Sequence, residues 1–176
     1  HRRRGGLVDA LCGGYQMLGT RIALPDGIEG PPGEAEGLGL LDIETVIEGV
    51  KSCSEAVGVD IETGEAVTGY EMHIGKTTGP DLDNPWLRLK DGRDEGAISL
   101  DGRVMGSYLH GIFAADGFRH AFLGRLGFGA GGGIAYDALM EQTLDALASH
   151  LETHLDLDAL LVAASPVKTE RLSATG

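Results

Sequence analysis

Cys12 is followed directly by two glycines in the stretch DALCGGYQML (residues 9–18). A thiol at a tight turn is a candidate nucleophile. Residues 10–14, Ala-Leu-Cys-Gly-Gly, match the small-x-nucleophile-x-Gly plan of an elbow between a strand and a helix. Small neighbours let the backbone fold back, so the sulfur projects clear of the sheet edge towards a substrate carbonyl. A helix starting there aims its first amides and its positive dipole end at the same spot, where they stabilise a developing oxyanion. The alternative is an inert core thiol, because free cysteine is among the most buried residue types. A cysteine nucleophile also needs a base. His73 in GYEMHIG, His110 in YLHGIF and His120 are the candidates. His110 stands out because it follows a strand and precedes a glycine, at an element end where sites on α/β sheets gather. His120 has polar neighbours on a helix and reads as solvated, and Cys53, in polar KSCSEA, reads as chemically ordinary.

The elements that must position these residues follow from patterning. LVDALC (7–12) is a short apolar run that predicts a buried strand, and YQMLGTRIAL (15–24) carries apolar residues at helical intervals. PDGIEGPPGEAEGLG (25–39) is too rich in Gly and Pro for regular structure and predicts a surface loop. Alternation then predicts strands over 40–49, 55–63 and 65–75, with a hairpin turn at Thr63-Gly64. Asp101-Gly102 predicts a second hairpin within 96–110. A helix is expected over 117–127 and a flexible joint over 129–134. Tyr136, Leu139, Met140, Thr143, Leu144, Leu147 and Leu151 form the stripe of an amphipathic helix. Residues 165–176 carry no core pattern and are expected to fray. The class is α/β, with residues 1–164 as one domain and 165–176 as a tail.

Composition excludes several classes. The net charge of −13 leaves no basic surface for a nucleic-acid backbone beyond the HRRR at the start. No apolar run approaches the ~20 residues that span a bilayer. Two cysteines without CxxC spacing fit a reducing, cytoplasmic setting, and no His/Cys spacing suits a metal.

LCGGYQMLG (11–19), GYEMHIG (69–75) and GSYLHGIF (106–113), in that order, resemble the glutamine amidotransferase domain of the cobyric acid synthase family, in the class I (triad-type) group. GLGLLDIET (37–45) and LDALASHLETHLDLDALL (144–161) agree, so the resemblance runs from about Leu7 to about Leu161. It implies a flavodoxin-like α/β domain with hairpin insertions that hydrolyses glutamine to glutamate and ammonia. It further implies an ATP-dependent synthetase partner, domain or subunit, that uses the ammonia to amidate corrin-ring carboxylates. By motif position Cys12 is the nucleophile and His110 the general base, while Gln16 and Gly13 contact substrate glutamine. Tyr70 and His73 either contact the glutamine α-amino and carboxylate groups or are packing and hairpin residues.

Departures from the group's pattern are equally specific. His110 is followed by Gly111-Ile112, where many members have Pro-Glu with an orienting Glu. A Cys–His dyad is therefore expected, with Glu71 a candidate orienter. Ala10 stands where Gly is usual and crowds the elbow, and Asp9 is polar in a strand that ought to be apolar. The sequence holds no GxxxxGK[ST] loop. The synthetase part, with its ATP and Mg²⁺, and the first strands of the domain with their oxyanion loop are thus expected in a preceding piece, and no cofactor in this chain. The competing readings are an amidotransferase for another acceptor, such as a cell-wall muropeptide, and a truncated, non-catalytic binding module.

Overall fold

A computed structural model describes residues 1–28, 30–129 and 135–164. In chain order the elements are β1 (Val8–Leu11), α1 (Gly13–Leu18), β2 (Arg21–Leu24), β3 (Gly33–Glu36), β4 (Glu44–Val46), β5 (Ser52–Asp60), β6 (Ala66–His73) and β7 (Lys76–Thr78). They continue with β8 (Leu87–Leu89), β9 (Asp94–Glu95), β10 (Ala97–Ile98), β11 (Val104–Ser107), β12 (Leu109–His110), α2 (Asp116–Arg125), α3 (Tyr136–His154) and α4 (Leu157–Ala163). The mixed α/β class is as the patterning predicts. The chain divides into two compact units, His1–Tyr136 and Asp137–Gly176. The second holds most of α3, the predicted amphipathic helix, and α4, whose start is capped by the Asp156 carboxylate accepting from the Ala159 N–H at 2.9 Å.

The first unit is built on the short sheet β1-β11-β10, in which β1 and β11 run parallel, Val8 opposite Val104 through Leu11 opposite Ser107. Alternation along these strands sends successive side chains to opposite faces. Val8, Ala10, Ala97 and Val104 pack with Tyr15 and Leu18 of α1. Leu7, Leu11, Ile98 and Met105 pack with Trp86, Phe118 and Phe122 on the other side. The sheet is thus covered on both faces. α1 sits close to it because Gly106 has no side chain; a Cβ there would lie 2.3 Å from the Tyr15 ring. Two further sheets have the orders β12-β6-β5-β8-β9 and β3-β2-β4-β7.

Three local expectations are corrected. The helix expected over 15–24 stops at Leu18, and Arg21–Leu24 form β2, parallel to β4. Gly19 is extended, and a Cβ on it would lie 2.6 Å from the Ile43 carbonyl, so the chain passes too close to its neighbour to continue as helix. The expected loop contains β3, which pairs antiparallel with β2 and is pinned by an Arg21–Glu34 ion pair. The strand expected over 40–49 is only β4. Both hairpins form: Gly64 and Gly102 have positive φ, and the Asp60 N–H donates to the Glu65 carbonyl at 2.9 Å across the first turn. Residues 130–134 of the expected joint and the whole tail lie outside the described residues.

Asp9 shares the face of Leu11, against the apolar cluster of Trp86 and Phe118, and its Oδ1 is buried with no partner among the described residues. Burial pushes its carboxyl from 3.8 up to about 6. The folded chain then holds this proton more tightly than the unfolded one, so stability falls as the pH rises from about 4 to about 6 and is flat above. Asp9→Asn is expected to stabilise the protein by about 3 kcal/mol at pH 7, with the gain vanishing near pH 4. Denaturant titrations at the two pH values measure this; a gain that is the same at both would sink it.

Candidate active site

Cys12 lies between β1 and α1 with φ 54° and ψ −119°, the one residue other than glycine with positive φ among those described. That backbone is strained for a residue with a Cβ and persists only where the surroundings enforce it. Two bonds do so. The Cys12 N–H donates to the Ser107 carbonyl at 2.8 Å, extending the β1/β11 ladder by one residue, and the Cys12 carbonyl accepts from the Gln16 N–H at 3.2 Å. Ala10 does not block the turn: a Cβ at Gly14 would lie 3.3 Å from the Ala10 methyl, a space that glycine leaves to it. Gly13 is exposed, with nothing within 4 Å of where its Cβ would be. The N–H groups of Gly13 and Gly14 open α1 and have no intrahelical acceptor.

His110 arrives from the other parallel strand. Both Cys12 and His110 therefore follow the carboxyl ends of β1 and β11, where sites on α/β sheets lie. After Ser107 the chain leaves the first sheet and Leu109–His110 pair with β6, His110 opposite Tyr70. This close approach depends on Gly69, where a Cβ would lie 2.0 Å from the His110 carbonyl oxygen. The His110 ring stacks on the Tyr70 ring at 5.0 Å between centroids and 7° between planes.

The two side chains meet at one atom. The Cys12 thiol donates to the Met72 carbonyl at 3.4 Å, and His110 Nε2 lies 3.3 Å from the same oxygen. Sulfur and imidazole are thus no farther apart than those two lengths laid end to end. Gln16, one helical turn beyond Cys12, donates from Nε2 to the Ile74 carbonyl at 3.4 Å. Cys12, His110 and Gln16 thus gather on two carbonyls at the end of β6 and just beyond it, those of Met72 and Ile74. The part played by Met72 had no sequence signal, because any residue supplies a carbonyl.

The other candidates go elsewhere. His73 turns to the opposite face of β6 and stacks on Tyr108 at 4.0 Å between centroids. There it lines a cavity of about 270 Å³ with Tyr15, Glu71, Arg93 and Glu95. Burial pushes its imidazole below the usual range, with Glu71 opposing and Arg93 adding to the shift. Glu71 is buried and held by Arg93 through both oxygens, at 3.2 and 2.7 Å. It is thereby committed to the guanidinium, and among the described residues no carboxylate bonds the His110 ring. His120 lies on α2, half-buried rather than solvated, with Nε2 unpartnered among the described residues. Cys53 is exposed on β5, opposite Met72.

Residues 1–118 match the model of the CobB/CobQ-like glutamine amidotransferase domain. A cobyric acid synthase of Cereibacter sphaeroides is 57% identical over 164 residues, 93% of this chain and 34% of that protein. One from Methylocella silvestris is 56% identical over 165 residues, 94% of this chain and 34% of its own length. One from Jannaschia sp. is 54% identical over 161 residues, 92% of this chain and 33% of its own. The chain spans about a third of the length of the curated relatives it matches.

Proposed function

The chain belongs to the CobB/CobQ-like glutamine amidotransferase family, and from that premise we propose that it is the glutamine-hydrolysing part of a cobyric acid synthase. The observation that carries this reading is the convergence of Cys12, in its strained turn, and His110 on the Met72 carbonyl oxygen. In the resting protein that oxygen accepts from both groups. A small rotation of the His110 ring, with its proton on the other nitrogen, offers a lone pair to the thiol. Cys12 Sγ then attacks the γ-carboxamide carbon of glutamine while His110 takes the thiol proton. The Gly13 and Gly14 N–H groups face the developing oxyanion. His110 returns the proton to the leaving nitrogen, releasing ammonia and a γ-glutamyl thioester. Water, deprotonated by His110, cleaves the thioester to glutamate and free thiol. The side chain of Gln16 reaches the substrate carboxamide from beside Cys12, and Tyr70, stacked on the His110 ring, lines the approach, while His73 packs on the other face of β6.

In this reading the ammonia goes to an ATP- and Mg²⁺-dependent synthetase region, in the remaining two thirds of such a protein, which amidates corrin-ring carboxylates. Among the described residues no helix is long and apolar enough to cross a membrane. A cytoplasmic setting is part of the proposal, in keeping with two unpaired cysteines. The test supplies amide-¹⁵N glutamine, ATP and adenosylcobyrinic acid a,c-diamide to the full-length protein. Label should appear in the new corrin carboxamides; product that stays unlabelled would overturn the reading.

Gln16 gives a sharper test of the substrate pose. An amide can donate to and accept from the substrate carboxamide, which a hydrocarbon of similar size cannot. Gln16→Leu is expected to weaken glutamine use by about 1–3 kcal/mol, the loss of one hydrogen bond beside developing charge. Synthesis from free ammonia should continue. Unchanged turnover with glutamine would make Gln16 a helix-surface residue.

A further inference from the structure

The side chains of Cys12 and His110 belong to segments that separate after the parallel pair β1/β11, so something must hold the corner between β11 and β12. Only Tyr108 lies between the two strands, which belong to different sheets. A chain that changes sheets leaves backbone groups without ladder partners, and buried ones must be satisfied otherwise. Glu95, at the end of the two-residue strand β9, does this. One carboxylate oxygen accepts from the Ser107 hydroxyl at 2.5 Å and the other from the Tyr108 N–H at 2.8 Å. The Ser107 hydroxyl in turn accepts from the Leu109 N–H at 2.9 Å. Glu95 is 7% exposed and Ser107 fully buried, so these bonds hold the corner from within the protein.

Both ends of this corner reach the site. The carbonyl of Ser107 accepts the Cys12 N–H that fixes the strained turn, and the residue after Leu109 is His110. The same stretch of chain also ties in β6: Arg93, two residues before Glu95, clamps Glu71, which pairs across the ladder with Leu109. Burial pushes the Glu95 carboxyl up, opposed by the Ser107 and Tyr108 bonds. A carboxylate is acceptor-only, which is what two converging donors require.

We propose that Glu95 is a positioning residue for glutamine hydrolysis: through Ser107 and Tyr108 it fixes the corner that sets the Cys12 turn against His110. The proposal rests on the reading of Cys12 as nucleophile and His110 as base. A carboxamide at 95 keeps one acceptor oxygen but sets an NH₂ against a donor, so the corner shifts without losing its shape.

In the full-length protein, Glu95→Gln is expected to lower kcat for glutamine about 10- to 100-fold, the scale of a misplacement near 1 Å. KM for glutamine and ammonia-dependent synthesis should hold. Modification of Cys12 by a chloroketone analogue of glutamine should slow in parallel. Glu95→Ala should lose more than Glu95→Gln; if it does not fold, Ser107→Ala is read in its place, with the same kcat-selective loss expected. An unchanged kcat in folded Glu95→Gln, or an equal loss of ammonia-dependent synthesis, would overturn the proposal, because the network would then only support the fold. Cys12→Ala is measured alongside. If that variant keeps glutamine turnover, the nucleophile assignment itself falls and takes the proposal with it, a result distinct from a silent Glu95.

Discussion

Cys12→Ala should reduce glutamine-dependent turnover to background, a loss on the order of 10⁴- to 10⁶-fold as in other enzymes that lose a nucleophile. Ammonia-dependent synthesis should survive, because the substitution removes only the sulfur. The same position makes a second, opposite expectation. At φ 54° and ψ −119° any residue with a Cβ is strained, by about 1–3 kcal/mol. Alanine retains that strain and glycine does not. Cys12→Gly should therefore be as inactive as Cys12→Ala yet more stable, by about 1 kcal/mol. That corresponds to a melting-point rise of about 2–4 °C for a domain of this size. Activity and melting measurements on the three proteins check both statements. A Cys12→Gly variant less stable than Cys12→Ala would mean that the turn stores no strain, and activity in either variant would remove Cys12 from the chemistry.

The turn at Cys12 was legible in five residues. Ala-Leu-Cys-Gly-Gly marks the place of the turn locally, whereas the strained backbone of Cys12 is enforced by its N–H bond to the distant Ser107 carbonyl. The hairpins at Gly64 and Gly102 were legible because positive φ at a glycine is written locally. What depended on distant partners was not. Residues 21–24 carry helical spacing, but the Ile43 carbonyl beside Gly19 and the pairing with β4 decide that they form a strand. β3 is exposed at every position, so it shows no alternation, and only its ladder to β2 makes it a strand. In GYEMHIG the motif drew attention to Tyr70 and His73, whereas the atom shared by Cys12 and His110 is a main-chain oxygen between them. Glu95 sits in RDEGAIS, where nothing distinguishes a buried acceptor from one more acid in a chain of net charge −13.

His110→Ala should cost about 10²- to 10⁴-fold in kcat for glutamine, the range of a positioned acid–base group, and less than the loss of the sulfur. The ordering has a physical basis. Without Cys12 no thioester can form, whereas without His110 the thiol can still ionise to bulk water and attack slowly. Because nucleophile and base act as a unit, the Cys12→Ala/His110→Ala double variant should be no worse than Cys12→Ala alone. The imidazole is only partly buried, held by Tyr70 on one face and the Met72 carbonyl at its edge, so its removal leaves an opening beside Cys12. Free imidazole should enter that opening and restore part of the activity, a rescue that a packing role for His110 would not allow. Stability should change little, since the lost contacts are one stack and one hydrogen bond to a partly exposed ring. Turnover of His110→Ala is to be measured with and without added imidazole, beside its melting point. A variant within a few-fold of the parent protein, or one that imidazole leaves unchanged while the melting point collapses, would return His110 to the strand as a structural residue.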